Sequence, residues 1–227
     1  MRYCISDVHG EYGLFRKLLR AIDFKDTDEL YVCGDIIDKG QNSVELAKYI
    51  SSLPNAQCII GNHELAFLKY YRALLDDLPG DPDAVLDRLQ AYFSDGELLD
   101  WELVDWIDAL PSYIETDEFI CVHAGLPLDE DGCPLPLEDA APEELVNDRR
   151  FKEKGVVNKG GKCVFFGHTE TSNICGVDKI IGYRRNRRTA CTSIMDYHKV
   201  HLDVGAWHSG VLGCFCIDTC KVFYVQK

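Results

Sequence analysis

An apolar run, Leu30-Tyr31-Val32-Cys33, stops at Gly34 and delivers Asp35-Ile36-Ile37-Asp38-Lys39 before Gly40. The run has the length of a buried strand, and the abrupt change to glycine and acid marks its carboxyl end. The same grammar recurs outward in both directions. Tyr3–Ser6 runs into Asp7-Val8-His9-Gly10, and Gln57–Ile60 runs into Gly61-Asn62-His63-Glu64. Further on, Phe119–Val122 leads to His123-Ala124-Gly125, and Lys162–Phe166 leads to Gly167-His168-Thr169. Helix-period segments lie between the early runs. Gly13–Ile22 puts Leu14, Phe15, Leu18, Leu19 and Ile22 on one face. Ser43–Leu53 has Ser43 as its expected N-cap and Pro54 as its stop, and another helix starts over Glu64–Leu75. Asp83–Leu110 reads as two helices broken near Ser94-Asp95-Gly96. Strands alternating with helices predict an α/β fold with a largely parallel sheet. In such sheets ligands gather outside the carboxyl ends of the strands, where all five polar tips fall.

Pro127–Gly161 is a long Pro-, Gly- and acid-rich connection with a short helix near Pro142–Val146. A connection of that length commonly serves as a lid or a wall of a site. His201–Val225 reads as β-rich. No repeat or linker divides the chain, so residues 1–227 are expected to form one domain.

With 227 residues, 46% hydrophobic and 27% charged, the composition excludes a disordered chain and is ample for a core without disulfides. Lys plus Arg number 24 against 38 Asp plus Glu, a net charge of -14 that disfavours nucleic acid and anionic membrane as partners. No apolar run approaches the ~20 residues of a membrane span. The opening residues lack the apolar core of an export signal, and eleven cysteines suit a reducing compartment, so a cytoplasmic location is expected. Cys214, Cys216 and Cys220 are expected in the core. The basic run Tyr183–Arg188 reads as a solvated loop, with docking of an acidic phosphopeptide as a weaker reading. His198, His201 and His208 match no ligand motif, and Trp101 and Trp106 read as packing.

The five tips carry His9, His63, His123 and His168, with Asp7, Asp35, Asp38 and Asn62. One such residue at a strand end is ordinarily a solvated cap; five tips of this kind are poorly explained as independent accidents. Imidazole, carboxylate and amide oxygen without thiolate suit Mn, Fe or Zn. Six ligand groups exceed what one catalytic zinc takes and point to two ions sharing a carboxylate.

In this order the motifs resemble those of the phosphoprotein phosphatase branch of the calcineurin-like metallophosphoesterases, particularly its small bacterial serine/threonine phosphatases. That branch carries GDxHG, GDxxDRG, GNHE, HAG and a later GH. Here they stand as Ser6–Gly10, Gly34–Gly40, Gly61–Glu64, His123–Gly125 and Gly167-His168, and His201–Ala206 resembles the closing Asp-x-Gly strand. The resemblance implies a four-layer α/β/β/α sandwich with a dimetal site at the carboxyl ends of the strands. It implies Asp7 and His9 on one divalent ion, Asp35 bridging, and Asn62, His123 and His168 on the other. It further implies His63 as general acid oriented by Asp38, and attack on phosphorus by a metal-bridging hydroxide. Asn62, Lys39 and a cation in the long connection would hold phosphate; Arg149 fits that place best and Arg150 next. Two positions depart from the pattern: Ser6 replaces glycine, and Lys39 replaces arginine and so loses a bidentate fork.

The function expected first is dephosphorylation of phosphoserine or phosphothreonine in proteins. The alternative is a dinucleoside polyphosphate hydrolase of the diadenosine tetraphosphatase kind, which would make the partner a phosphorylated small molecule. A third reading, an inactive binding module, is disfavoured by the intact Asp38 and His63.

Overall fold

In the computed structural model, which describes residues 1–93, 96–158, 160–186 and 191–227, the alternation is realised in order. β1 (Arg2–Ile5) leads to α1 (Tyr12–Ala21), β2 (Glu29–Val32) to α2 (Ser43–Ser51), and β3 (Ala56–Cys58) to α3 (Asn62–Asp77). Helices α4 (Pro82–Gln90) and α5 (Trp101–Asp108) follow, then β4 (Tyr113–Glu115), β5 (Phe119–Val122), α6 (Pro142–Asn147), β6 (Cys163–Phe166) and α7 (Ser172–Cys175). The remaining elements are β7 (Ile181–Arg184), β8 (Tyr197–His201), α8 (Ala206–Ser209), β9 (Val211–Cys216) and β10 (Val222–Gln226).

The strands form two five-stranded sheets, ordered β10-β9-β1-β2-β3 and β4-β5-β6-β8-β7. β1, β2 and β3 are mutually parallel, as are β5, β6 and β8, while β9, β10, β4 and β7 pair antiparallel at the flanks. Period-two alternation divides each strand between two cores. Tyr3 and Ile5, with Leu30 and Val32, face α1, α2 and the helices beyond, whereas Cys4, Tyr31 and Cys33 point to the other sheet. From that sheet Phe119, Cys121, Cys163 and Phe165 meet them. Ile120, Val122, Val164 and Phe166 lie on the far side with Leu126, Leu145 and Phe151. The layers are therefore α/β/β/α, and the last is thin, built from α6 and the long connection. Full burial of residues such as Phe119 and Phe165 contributes about 1.5–3 kcal/mol each.

Cys214 and Cys216 are buried on the helix-facing side of β9, and Trp101 and Trp106 pack at the margin of that core. Several expectations shift. Asn42, not Ser43, occupies the cap position of α2, without a side-chain cap; Ser43 is buried inside the first turn. α3 starts two residues earlier than expected because Glu64 reaches back to the Gly61 N–H at 2.8 Å, placing Asn62 and His63 in its first turn. Strands β4 and β7 were not foreseen, and β8 begins at Tyr197 rather than His201. Tyr183 and Arg184 of the basic run lie in β7, an edge strand rather than a loop, and Arg185 donates to the Gly161 carbonyl at 2.7 Å. Arg187 and Arg188 of that run, and Ser94 and Asp95 of the expected helix break, lie outside the described residues.

Lys199 of β8 is fully buried, and its ammonium donates to the carbonyls of Phe151 at 2.5 Å and Glu153 at 2.7 Å. Burial pulls its pKa down to about 7, while the two carbonyls and the Phe151 and Tyr183 rings give the amine its partners. It thus pins the turn that follows Arg149 to the second sheet. Among the described residues no helix is long and apolar enough to cross a membrane.

Candidate metal centre

The two parallel runs end at one edge of the sandwich, and their tips are stitched together across the sheets. The carboxylate of Asp7, after β1, accepts the backbone N–H of His168, after β6, at 3.1 Å. His123, after β5, sets Nδ1 2.8 Å from the carbonyl of Cys33, after β2. The turns are tight enough to force unusual backbone. Asp7, His9, Asp35, Asp38, Lys39 and His168 all have φ between +47° and +70°, the left-handed region. For L-residues that conformation costs about 1–2 kcal/mol each. Such strain persists where surrounding structure over-determines it, which is characteristic of ligand sites. Close approach also explains two glycines. A Cβ at Gly61 would stand 2.2 Å from Asp35 Oδ1, and one at Gly167 would stand 1.9 Å from Asp7 Oδ2.

Asp35 sits at the centre. Its Oδ2 lies 3.5 Å from His9 Nε2, 3.9 Å from His63 Nε2 and 3.4 Å from His123 Nε2. His123 Nε2 and His168 Nδ1 converge on Asn62 Oδ1 at 2.9 and 2.8 Å. Two groups, His9–Asp35–His63 and Asp35–His123–His168, each bring their ligand atoms within 4.8 Å of one another, and Asp35 belongs to both. The imidazoles are oriented from behind: Nδ1 of His9 faces the Ile37 carbonyl at 3.2 Å, as that of His123 faces Cys33, which directs each Nε2 inward.

The electrostatics fit cations. Asp7, Asp35 and Asp203 are all buried. Burial, with neighbouring Asp35 adding to it, pushes the Asp7 carboxyl up to about 7. Burial opposes charge at His123 too, yet Asp35 and Asp7 raise its pKa to about 10, and in return His123, His9 and His63 hold Asp35 well below the usual carboxylate range. Burial raises Asp203 well above its ordinary value, with Asp7 contributing. Lys39, an exposed residue, brings its Nζ to 2.9 Å from His9 Nε2, so the tip of this side chain reaches the rim of the centre. The donors present, carboxylate, imidazole and amide oxygen, suit divalent ions of the Mn, Fe or Zn kind.

Around this centre His63 Nδ1 bonds Asp38 Oδ2 at 2.6 Å, leaving Nε2 directed at the Asp35 side. Arg149 donates to Thr169 Oγ1 at 3.1 Å, beside His168. Arg150 is committed elsewhere, forked on Asp148 and bonded to the Leu128 carbonyl at 2.9 Å. The Ser6 hydroxyl bonds Asp7 Oδ2 and lies 3.1 Å from the Cys33 carbonyl, so the serine in place of glycine adds a donor to a crowded carboxylate. His208 is bonded to Glu170 at 3.1 Å, away from the cluster of ligand atoms.

Glu64 is the residue whose part sequence reasoning missed. Fully buried, it accepts four backbone N–H groups, from Asp35 (2.9 Å), Ile36 (2.8 Å), Ile37 (3.0 Å) and Gly61 (2.8 Å). It therefore moulds the turn that carries Asp35 against the start of α3. Its spacing from Gly61 is that of a capping box, the one signal available beforehand. Glu64→Gln turns an amide towards N–H donors and should lower stability by about 2–4 kcal/mol. Urea unfolding reads this as a lower midpoint at unchanged slope; an unchanged midpoint would contradict the role.

Residues 3–202 match the sequence profile of the calcineurin-like phosphoesterases. Curated relatives include symmetrical bis(5′-nucleosyl)-tetraphosphatases from Salmonella paratyphi C (32% identical over 128 residues, 55% of this chain and 43% of that protein) and from Aggregatibacter actinomycetemcomitans (33% over 133 residues, 57% and 46%). One from Buchnera aphidicola is 30% identical over 155 residues, 60% of this chain and 50% of that protein. The chain thus spans about half the length of these relatives. A crystal structure provisionally assigned to a diadenosine tetraphosphatase superposes with TM-score 0.70 at 19% identity, covering 99% of this chain and 92% of that one. A metallophosphoesterase from Sphaerobacter thermophilus gives 0.56 at 14% identity, covering 100% and 87%. These likenesses establish the shared fold.

Proposed function

Since this chain belongs to the calcineurin-like phosphoesterase family, we propose that it is a metal-dependent phosphatase whose substrates are dinucleoside polyphosphates. The expectation of a phosphoprotein substrate gives way to the alternative because the curated relatives named above are tetraphosphatases of that kind. In this reading residues 1–227 act as one domain. Asp7 and His9 would hold one divalent ion, Asn62, His123 and His168 the other, and Asp35 would serve both; what supports the pair is Asp35's place in two groups of ligand atoms, the first of which contains His63 and not Asp7. When bound, the two ions neutralise phosphoryl oxygens and make water acidic enough to supply hydroxide near neutral pH.

The remaining chemistry is the chain's own. His63 hands a proton from Nε2 to the departing oxygen, and Asp38, on Nδ1, keeps that ring oriented and supports its positive form. Arg149, steadied by Thr169, and Lys39 bind phosphoryl oxygens, with the Asn62 amide beside them. The His63–Asp38 pair favours a second activity. An acid is most needed for an alkoxide leaving group, so phosphomonoesters such as phosphoserine should also be cleaved. The test is a parallel assay of Mn-loaded protein on diadenosine tetraphosphate and a phosphoserine peptide. Conversion of the dinucleotide to two equal nucleoside diphosphates is expected. Turnover of the peptide alone would refute the nucleotide reading.

Lys39 supplies a further expectation. Its ammonium contributes one charge-assisted contact, of about 1.5–3 kcal/mol. Lys39→Ala should therefore lower kcat/KM about 10–150-fold and weaken inhibition by inorganic phosphate. Values of both within about twofold of the parent, well under the tenfold that 1.4 kcal/mol represents, would leave Arg149 as the principal phosphate-binding side chain.

A further inference from the structure

The geometry points to Trp207 as a nucleobase platform, in a cavity that shares the Lys39 side chain with the candidate metal centre. The cavity, about 660 Å³, is walled by Glu11, Tyr12, Lys17, Lys39, Lys227 and Trp207 among others. Its volume lies in the range that encloses small ligands. Lys39 belongs to this wall while its Nζ stands 2.9 Å from His9 Nε2, so cavity and centre share a side chain.

Two properties define what fits. Three lysines against one glutamate leave the wall at +2 in a chain of net charge -14, which favours an anion. Lys17 and Lys227 are held in place, Lys17 by the Gln226 carbonyl at 2.6 Å and Lys227 by Glu11 at 2.9 Å. The second property is the indole. Trp207 is 46% exposed, yet its Nε1 donates to the Lys39 carbonyl at 2.9 Å, which fixes the ring without covering it. An oriented, uncovered aromatic face beside fixed cations suits a ligand with a flat ring and a phosphate tail. A nucleoside phosphate has both, with its base on the indole and its phosphates running past Lys39 towards Asp35. This deepens the nucleotide reading above and rests on it. It makes Trp207 a specificity-determining residue with no part in bond cleavage.

The test compares ADP with pyrophosphate, which lacks the base, by calorimetric titration of wild type, Trp207→Ala and Trp207→Phe. Trp207→Ala should weaken ADP binding about 5–150-fold, the span of base–aromatic stacking, and leave pyrophosphate unchanged. Trp207→Phe, which keeps a ring but not the N–H, should retain most of the ADP affinity. Equal ADP affinity in wild type and Trp207→Ala would overturn the proposal. So would equal losses on both ligands in both variants, which would mean that Trp207 acts by holding Lys39. Titration is independent of turnover. Trp207-dependent ADP binding without hydrolysis of diadenosine tetraphosphate would refute the substrate reading alone, and hydrolysis insensitive to Trp207→Ala would refute the platform alone.

Discussion

Asp35→Asn is expected to abolish turnover, the largest effect of any single substitution in this protein. Asp35 lies 3.4–3.9 Å from the inner nitrogens of His9, His63 and His123, and each candidate ion depends on it. The amide removes the shared negative charge while retaining nearly the same volume, so the fold should be kept, at some cost in stability because the buried His123 loses the carboxylate that raises its pKa. The backbone N–H of His63 that bonds Asp35 Oδ1 at 3.0 Å can keep an oxygen acceptor. Loss of activity with an unchanged circular dichroism spectrum at 25 °C, and a melting temperature lowered rather than abolished, is the predicted pair of results. Substantial residual kcat in Asp35→Asn would show that the two groups do not depend on a common ligand.

His63→Asn should come second, with a loss that depends on the leaving group. General acid catalysis contributes about 10²–10⁴-fold where the departing oxygen is strongly basic. On a phosphoserine peptide kcat should fall by that order. On p-nitrophenyl phosphate, whose phenolate leaves without help, the loss should be much smaller. Diadenosine tetraphosphate should resemble p-nitrophenyl phosphate, because a nucleoside diphosphate, with a phosphate pKa of about 6, is a weakly basic leaving group. Equal losses on all three substrates would remove His63 from the acid role. Asp38→Asn should follow the same ranking more weakly, since Asp38 acts through the His63 ring.

The strand tips were legible because two local signals coincide at each of them. An apolar run of strand length ends abruptly, and glycine next to Asp, Asn or His marks a turn that a ligand approaches. Local signals of this sort carry Asp7, His9, Asp35, Asn62, His123 and His168 to one edge without knowledge of the tertiary contacts. Glu64 lacked such a signal for its main task, since three of its four N–H donors lie 27–29 residues earlier in the chain, at Asp35 to Ile37. β7 is hard to read because its burial alternates only between intermediate and exposed, as expected for an edge strand, and because its last residue, Arg184, opens onto a basic run. The contact of Trp207 with Lys39, on which the proposed base platform rests, is hidden in the sequence for the same reason as Glu64, on a larger scale. Trp207 and Lys39 are separated by 168 positions and meet only in the folded chain. Lys39 itself reads in the sequence as a loss of phosphate-binding capacity, and neither its left-handed backbone nor its contact with His9, 30 positions away, is announced by any pattern of side chains.

The pairing of two ions across Asp35 is most directly tested by metal stoichiometry. Protein stripped with chelator, reconstituted with Mn and freed of excess metal by gel filtration should carry two ions per chain by elemental analysis. Asp35→Asn, treated identically, should carry fewer. One ion or none on the wild-type chain would contradict the account, whatever its activity.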